Sequence, residues 1–133
     1  MRGAKTGVFS VDPDWCLAVD VTHAHTPDSK PGKTMKGGEG PAIGVGPNMT
    51  KKFSDLMIKL AKEAEMPHQI EVMGGNTGTN AWVMQVSRGG VATALVSIPI
   101  KYMHTPFETM QLSDGEKTVE LIVKFVKALK GEQ

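Results

Sequence analysis

Apolar positions along the chain fall into short continuous runs and longer amphipathic stretches. The runs that predict strands are residues 15–21, 41–46, 68–73 and 92–98. The first run is predicted to be buried on both faces, as a parallel strand would be, through Leu17, Ala18, Val19 and Val21. The glycines of the second run indicate an edge strand that the neighbouring backbone approaches closely. Pro99 is predicted to end the last run.

Two stretches repeat apolar residues at intervals of three and four, which is the spacing of one helix face. The first helix is predicted to start at Asn48 or Thr50 and to end near Glu65, and its buried face consists of Phe53, Leu56, Met57, Leu60, Ala61 and Ala64. The second opens with a capping box, Ser113 to Glu116. Its predicted buried face consists of Val119, Ile122, Val123, Val126 and Leu129. Shorter helices are predicted at residues 1–10 and 81–87.

The order of these elements predicts the fold class. Strands alternate with helices, which indicates an α/β protein with helices layered on a sheet. The 133 residues fit one domain, and 40% hydrophobic residues are enough to bury a core.

Two residues at predicted strand ends carry candidate chemistry. Asp20 lies near the end of the first apolar run, and His104 follows the last one. In open α/β sheets, ligands bind outside the carboxyl ends of strands. Carboxylate oxygen and imidazole nitrogen are ordinary ligands of zinc, cobalt and manganese. Asp20 is therefore a candidate metal ligand, catalytic group or loop cap, although two ligands alone do not make a complete metal site.

Other candidates carry less weight. His23 and His25 could join Asp20 as metal ligands in a D-x-x-H-x-H cluster, but that spacing is not a strong metal signature, and they are expected instead to form loop hydrogen bonds or to be exposed. Cys16 lies inside an apolar run and is expected to be a buried thiol. Glu108 could form a carboxylate pair with Asp20 for glycoside hydrolysis, but nothing in the sequence sets their separation. The glycine-rich loop at 26–40 matches neither common phosphate-binding motif, and its length indicates a functional or disordered loop.

The bulk composition excludes some partners. Fifteen basic and fourteen acidic residues nearly cancel, so no basic surface for nucleic acid is expected. No apolar run reaches the roughly 18 residues of a membrane span, so no membrane insertion is expected. A single cysteine fits a reducing, cytoplasmic setting.

Three motifs carry a resemblance to a known family. They are Asp20-Val-Thr-His-Ala24, Thr77-Gly-Thr-Asn-Ala81 and Ser97-Ile-Pro-Ile-Lys-Tyr-Met-His-Thr-Pro-Phe-Glu108. In order and spacing, the chain resembles the C-terminal half of the glutamyl/deblocking aminopeptidases over essentially all 133 residues. These are cytoplasmic dinuclear metallo-aminopeptidases that often assemble into tetrahedral particles, and some members are labelled endoglucanases or cellulases.

The resemblance implies a three-layer α/β/α zinc-peptidase-like sandwich, with residues 1–133 as the C-terminal part of the catalytic domain. It implies that Asp20 is a ligand of one metal ion and His104 a ligand of the other, the two ions being zinc or cobalt. It also implies peptide substrates and a homo-oligomer. Substrate contacts are expected at Thr79, Asn80 and Lys101, although the family usually has aspartate in place of Asn80 and often arginine in place of Lys101.

The rest of the family's site has no counterpart in the 133 residues. A glutamate pair that includes the general base stands in the family directly before a segment like residues 1–6, so the general base is expected upstream of Met1. A histidine, a bridging aspartate and a dimerisation domain also lie upstream. The resemblance therefore implies that no catalytic residue lies in this chain and that the isolated chain lacks peptidase activity. The alternatives are a non-catalytic fragment that self-associates through an unpaired strand edge, and an endo-1,4-β-glucanase.

Overall fold

The computed structural model describes residues 1–30 and 32–131, and it forms a mixed sheet with helices on both faces. The strands are β1 (Trp15–His23), β2 (Ala42–Val45), β3 (Gln69–Val72), β4 (Ala92–Lys101) and β5 (Thr109–Met110). The helices are α1 (Arg2–Val11), α2 (Lys51–Glu63), α3 (Ala81–Met84) and α4 (Leu112–Gly131). The predicted α/β class is confirmed. Among the helices of the described ranges, none is both long and apolar enough to cross a membrane.

The strand order is β1-β4-β2-β3, and β5 pairs with the end of β4. β1 and β4 are parallel, from Trp15 opposite Ala92 to His23 opposite Ile100. β2 and β3 are parallel to each other, but β2 is antiparallel to β4. The carboxyl ends of β1 and β4 therefore share one end of the sheet, called here the carboxyl end, whereas β3 ends at the opposite side.

Each face of the sheet has its own apolar core. On one face, α2 and α4 pack through Phe53, Met57, Leu121 and Phe125. Phe125 makes edge-to-face contacts with Phe53 and Trp15, at centroid distances of 5.6 and 6.0 Å. The opposite face carries α1 and α3 on a core of Cys16, Ala18, Met49, Ala81, Met84, Val91 and Leu95. The layers are therefore helix, sheet and helix, as predicted.

β2 is not the predicted edge strand, because it lies between β4 and β3. Its glycines do allow close approach, as expected. A Cβ on Gly44 would lie 3.0 Å from the Leu95 side chain, and one on Gly46 would lie 2.0 Å from the carbonyl oxygen of Met73. The glycines thus let β2 pack inside the sheet.

The buried face predicted for α2 is confirmed, since Phe53, Met57 and Ala61 are buried. Thr50 occupies the position before the helix, but its hydroxyl accepts a hydrogen bond from the Thr93 backbone at 3.0 Å. The hydroxyl therefore ties the start of α2 to β4.

The buried face predicted for α4 is wrong for two of its residues: Val119 is 61% exposed and Val123 is 45% exposed. The buried line consists of Asp114, Thr118, Leu121 and Phe125. The first two of these residues are polar and hydrogen-bonded, so apolar periodicity predicts burial of the neighbouring helix face, which carries Val119 and Val123. The helix begins at Leu112, so Ser113 is not its N-cap.

Both long strands extend further than predicted. Pro99 does not end β4, which continues to Lys101. Pro99 is tolerated because the pairing of β4 with β2 is limited to Val96 and Ser97. Among the described residues, the side of Pro99 away from β1 therefore has no register partner. Val19 is 48% exposed rather than buried, because β1 lies at an edge of the described sheet. The short helix predicted at 81–87 ends at Met84.

Candidate functional site

Asp20 lies in β1, near the carboxyl end of the sheet, and its side chain is half-buried. Its Oδ1 accepts a hydrogen bond from the backbone N–H of Val21 at 2.9 Å. Ser97 on β4 is its register partner. Because side chains alternate along a strand, Asp20 shares a face with Ala18 and Thr22.

His104 lies in the loop that follows β4, and it is exposed. Its backbone is left-handed, with φ 64°, and its N–H donates to Oε1 of Glu108 at 2.6 Å. Glu108 thus shapes the loop that carries His104, which fits a structural acid better than half of a glycosidase pair. β1 and β4 are parallel, so the residues that follow both strands leave the same end of the sheet.

The donors fit a divalent cation but supply only part of a ligand set. Asp20 offers carboxylate oxygen and His104 offers imidazole nitrogen, which are the ligand types that zinc and cobalt take. Within residues 1–30 and 32–131, no three His, Cys, Asp or Glu side chains lie close enough to hold a metal ion. His23 is exposed and, by strand alternation, lies on the face opposite Asp20.

A cavity of about 660 Å³ lies at the carboxyl end of the sheet. Lys101 lines it from β4, together with His25 and Lys36. These three side chains give the cavity a basic wall. Of these three residues, the sequence predicted only Lys101 as a substrate contact. The unusual length of the loop at 26–40 was the only sign in the sequence that pointed towards Lys36.

That loop is fixed by two polar side chains. The carboxylate of Asp114, which is fully buried, accepts hydrogen bonds from the N–H groups of Gly38 and Gly40 at 2.8 and 2.9 Å. Gln69 accepts from the Lys36 N–H at 2.7 Å and donates to the Lys36 carbonyl at 2.8 Å. The cavity wall that carries Lys36 is therefore hydrogen-bonded to α4 and β3.

Thr79 and Asn80 lie in the segment between β3 and α3. They directly precede α3, whose Ala81 and Met84 pack with Cys16 at the start of β1. The hydroxyl of Thr79 accepts from the Ala81 N–H at 3.2 Å, and the Asn80 carbonyl accepts from Met84 at 3.1 Å. In this chain, both residues form the start of α3.

Met1, before which the general base is expected, stands at the start of α1. Its side chain is 55% exposed, and its carbonyl accepts a hydrogen bond from the Lys5 N–H at 3.1 Å. Ala4 and Val8 pack α1 against the core that includes Cys16. Met1 itself is thus a helix-start residue and not a site residue. The glutamate expected upstream of it lies outside the 133 residues and stays a prediction.

Glu71, on β3, was not predicted from the sequence. Its carboxylate accepts a hydrogen bond from the hydroxyl of Thr22. Burial raises the pKa of Glu71 above its ordinary value, against the opposing effects of Thr22 and Ser97. The alternation of polar and apolar residues in β3 predicts the opposite arrangement, because Ile70 and Val72 are exposed whereas Glu71 faces the interior.

Comparisons with known proteins extend these findings. The family model described as M42 glutamyl aminopeptidase matches residues 1–121. The chain is 41% identical to lysyl aminopeptidase of Pyrococcus furiosus over 130 residues, which is 98% of this chain and 38% of that protein. The solved TET aminopeptidase from Thaumarchaeota archaeon SCGC AB-539-E09 is 30% identical, with a TM-score of 0.86 over 95% of this chain and 36% of its own. The Pyrococcus horikoshii TET1 peptidase, described as assembling into a tetrahedron or a large octahedral shell, is 30% identical, with a TM-score of 0.72 over 92% of this chain and 36% of its own.

Proposed function

Since the chain belongs to the M42 glutamyl aminopeptidase family, we propose that it forms part of the catalytic domain of a metal-dependent aminopeptidase. The whole enzyme removes N-terminal residues from peptides. The chain spans 38% of the length of the lysyl aminopeptidase it matches. Residues 1–133 accordingly contribute the C-terminal part of the active site, and the remaining site residues come from elsewhere.

One observation supports this proposal: Asp20 lies in β1, three residues before its carboxyl end, and His104 lies in the loop that follows the adjacent parallel strand β4 at the same end of the sheet. Each residue would hold one of two divalent metal ions, zinc or cobalt. Bound metal would polarise the peptide carbonyl and lower the pKa of an attacking water to about 7. The chain's own contribution is to hold the metal ions and to orient the peptide.

Substrate contacts follow from the cavity at the carboxyl end. Lys101 and Lys36 present ammonium groups that can donate hydrogen bonds to the carbonyl groups of a bound peptide. The resemblance alone supports Thr79 and Asn80 as substrate contacts. Their hydrogen bonds in this chain fit a structural role at the start of α3.

The isolated chain is expected to be inactive, because the general base for the hydrolytic water is expected upstream of Met1 and no other has been identified. The test is the release of free amino acids from short peptides by the pure chain in the presence of Zn²⁺ or Co²⁺. No release above the metal-only blank is expected. Metal-dependent release that Asp20→Asn removes would contradict the expected inactivity, while it would support the role of Asp20. Soluble cellulose is a parallel substrate, and release of reducing sugar from it would favour the glucanase alternative.

A second candidate function is self-association without catalysis. It is favoured by the position of β1 at an edge of the described sheet and by the exposure of Val19, Val119 and Val123. We expect light scattering after size exclusion to give a mass that rises with concentration above the 14.3 kDa of one chain. A single mass of one chain at all concentrations would remove this candidate.

A further inference from the structure

A carboxylate near Asp20 has no role in the proposed chemistry. Glu71 reaches from β3 across the sheet face, and one of its oxygens accepts the hydrogen bond of the Thr22 hydroxyl on β1. Thr22 is 6% exposed and Ser97 is fully buried. A cluster of three buried or half-buried polar side chains therefore joins three strands of the sheet.

Two atoms of this cluster are not satisfied. Within the described residues, the Oε2 atom of Glu71 and the Oγ atom of Ser97 are buried and form no hydrogen bond of good geometry, although Ser97 lies close enough to Glu71 to lower its pKa. Buried polar atoms without partners destabilise a fold, so a cluster that retains two of them is poorly explained by stability alone. Such atoms are more common at functional sites, so the cluster is a candidate for a functional role.

The cluster flanks Asp20 on two sides. Thr22 follows Asp20 on the same strand and the same face, and Ser97 is the register partner of Asp20 on β4. β1 lies at an edge of the described sheet, so in that part of the chain its outer side has no strand to hold it. The hydrogen bond from Thr22 to Glu71 supplies a constraint from the inner side.

We propose that Glu71 is a positioning residue: by accepting the hydrogen bond of Thr22, it fixes the end of β1 and so the orientation of the Asp20 carboxylate. Partners of this kind orient metal-binding carboxylates in many proteins, and their loss weakens metal binding. The inference rests on the proposed function to the extent that Asp20 binds metal. The effect on the conformation of Asp20 itself does not depend on metal.

The structure provides a reporter for that conformation. The backbone N–H of Val21 donates to Oδ1 of Asp20 at 2.9 Å, so its hydrogen exchange rate depends on where the carboxylate points. The amide of Met57, in the buried core of α2, reports general stability instead. NMR of the full 133-residue chain, without metal, measures both rates in the same sample.

Four variants form two matched pairs. Thr22→Val removes the hydroxyl and Thr22→Ser keeps it; Glu71→Ala removes the acceptor and Glu71→Gln keeps an oxygen in its place. We expect Thr22→Val and Glu71→Ala to accelerate exchange at Val21 by about tenfold relative to Met57, the size of effect of one lost hydrogen bond. Thr22→Ser and Glu71→Gln should stay within about twofold of the unaltered chain, as should the exposed control Glu116→Gln.

Two results would overturn the proposal. Unchanged exchange at Val21 in both disruptive variants would show that Asp20 does not depend on Glu71. Equal acceleration at Val21 and Met57 would show that Glu71 only stabilises the fold. Thr22→Val is nearly isosteric with the original residue, so the exchange rate at Val21 can still be measured in that variant if Glu71→Ala fails to fold.

A Co²⁺ titration of the same variants tests the metal-binding role of Asp20 separately from the positioning role of Glu71. Weaker Co²⁺ binding in Thr22→Val, restored in Thr22→Ser, is expected if Asp20 is a ligand. If the unaltered chain shows no Co²⁺ contact at Asp20, the metal role of Asp20 in this chain fails. The exchange rate at Val21 still decides whether Glu71 positions Asp20.

Discussion

At the scale of single residues, the sequence located Asp20 by a simple physical argument. An acid within an apolar run is unusual, and its place near the strand end puts it where ligands bind. Glu71 could not be found in this way. It alternates with Ile70 and Val72, and alternation predicts that the apolar residues face the core, whereas both are exposed. The contacts that reverse the pattern, with Thr22 and Ser97, join residues that are distant in sequence.

The raised pKa of Glu71 predicts a pH dependence of stability. Burial raises the pKa above its ordinary value of 4.5, and the charge of Asp20 adds to this, while Thr22, Ser97 and His23 oppose it. The folded chain therefore binds this proton more tightly than the unfolded chain does. The stability contributed by protonated Glu71 is fully present below pH 4.5 and is lost as the pH rises through the folded-state pKa.

Urea unfolding of the unaltered chain and of Glu71→Gln across this pH range measures the effect. The free energy of unfolding of the unaltered chain should fall relative to that of Glu71→Gln as the pH rises above 4.5. Because other titrating groups are common to both proteins, they largely cancel in the comparison. A difference that stays constant or reverses with pH would contradict the shift.

At the scale of elements, periodicity predicted the buried face of α2 correctly and misassigned two of the five residues predicted to be buried in α4. The buried side of α2 is mainly apolar, so its pattern and its burial coincide. The buried line of α4 begins with Asp114 and Thr118, whose polar atoms bond to the loop at 38–40 and to the helix backbone. The sequence contains no local sign of these bonds, because the loop lies more than 70 residues earlier.

The observed orientation of α4 predicts a contrast between two substitutions. Phe125→Ala should lower the free energy of unfolding by about 3–5 kcal/mol, because a fully buried ring in contact with Trp15 and Phe53 is lost. Val123→Ala removes an exposed side chain and should change it by about 0.5 kcal/mol or less. Denaturant unfolding measures both. Similar losses in the two variants would mean that α4 is rotated relative to the observed packing.

At the scale of the whole molecule, the α/β layering followed from the order of elements, whereas the sheet topology did not. Nothing in the local sequence distinguishes a strand that adds in parallel from one that adds in the opposite direction. β2 and β3 run against β4, so β3 ends at the side of the sheet opposite the carboxyl ends of β1 and β4. Of the five candidate residues from the sequence, Asp20 and Lys101 lie on the parallel strands β1 and β4, and His104 follows β4.

Asp20 and His104 are proposed to be metal ligands. The most direct test is NMR of the chain titrated with Co²⁺, whose unpaired electrons broaden the signals of nearby amides even when binding is weak. We expect the amide signals of Val21 and Thr105 to broaden first. Asp20→Asn should remove the broadening at Val21, and His104→Ala should remove it at Thr105. Broadening that is centred on His25 and unchanged by both substitutions would contradict these assignments.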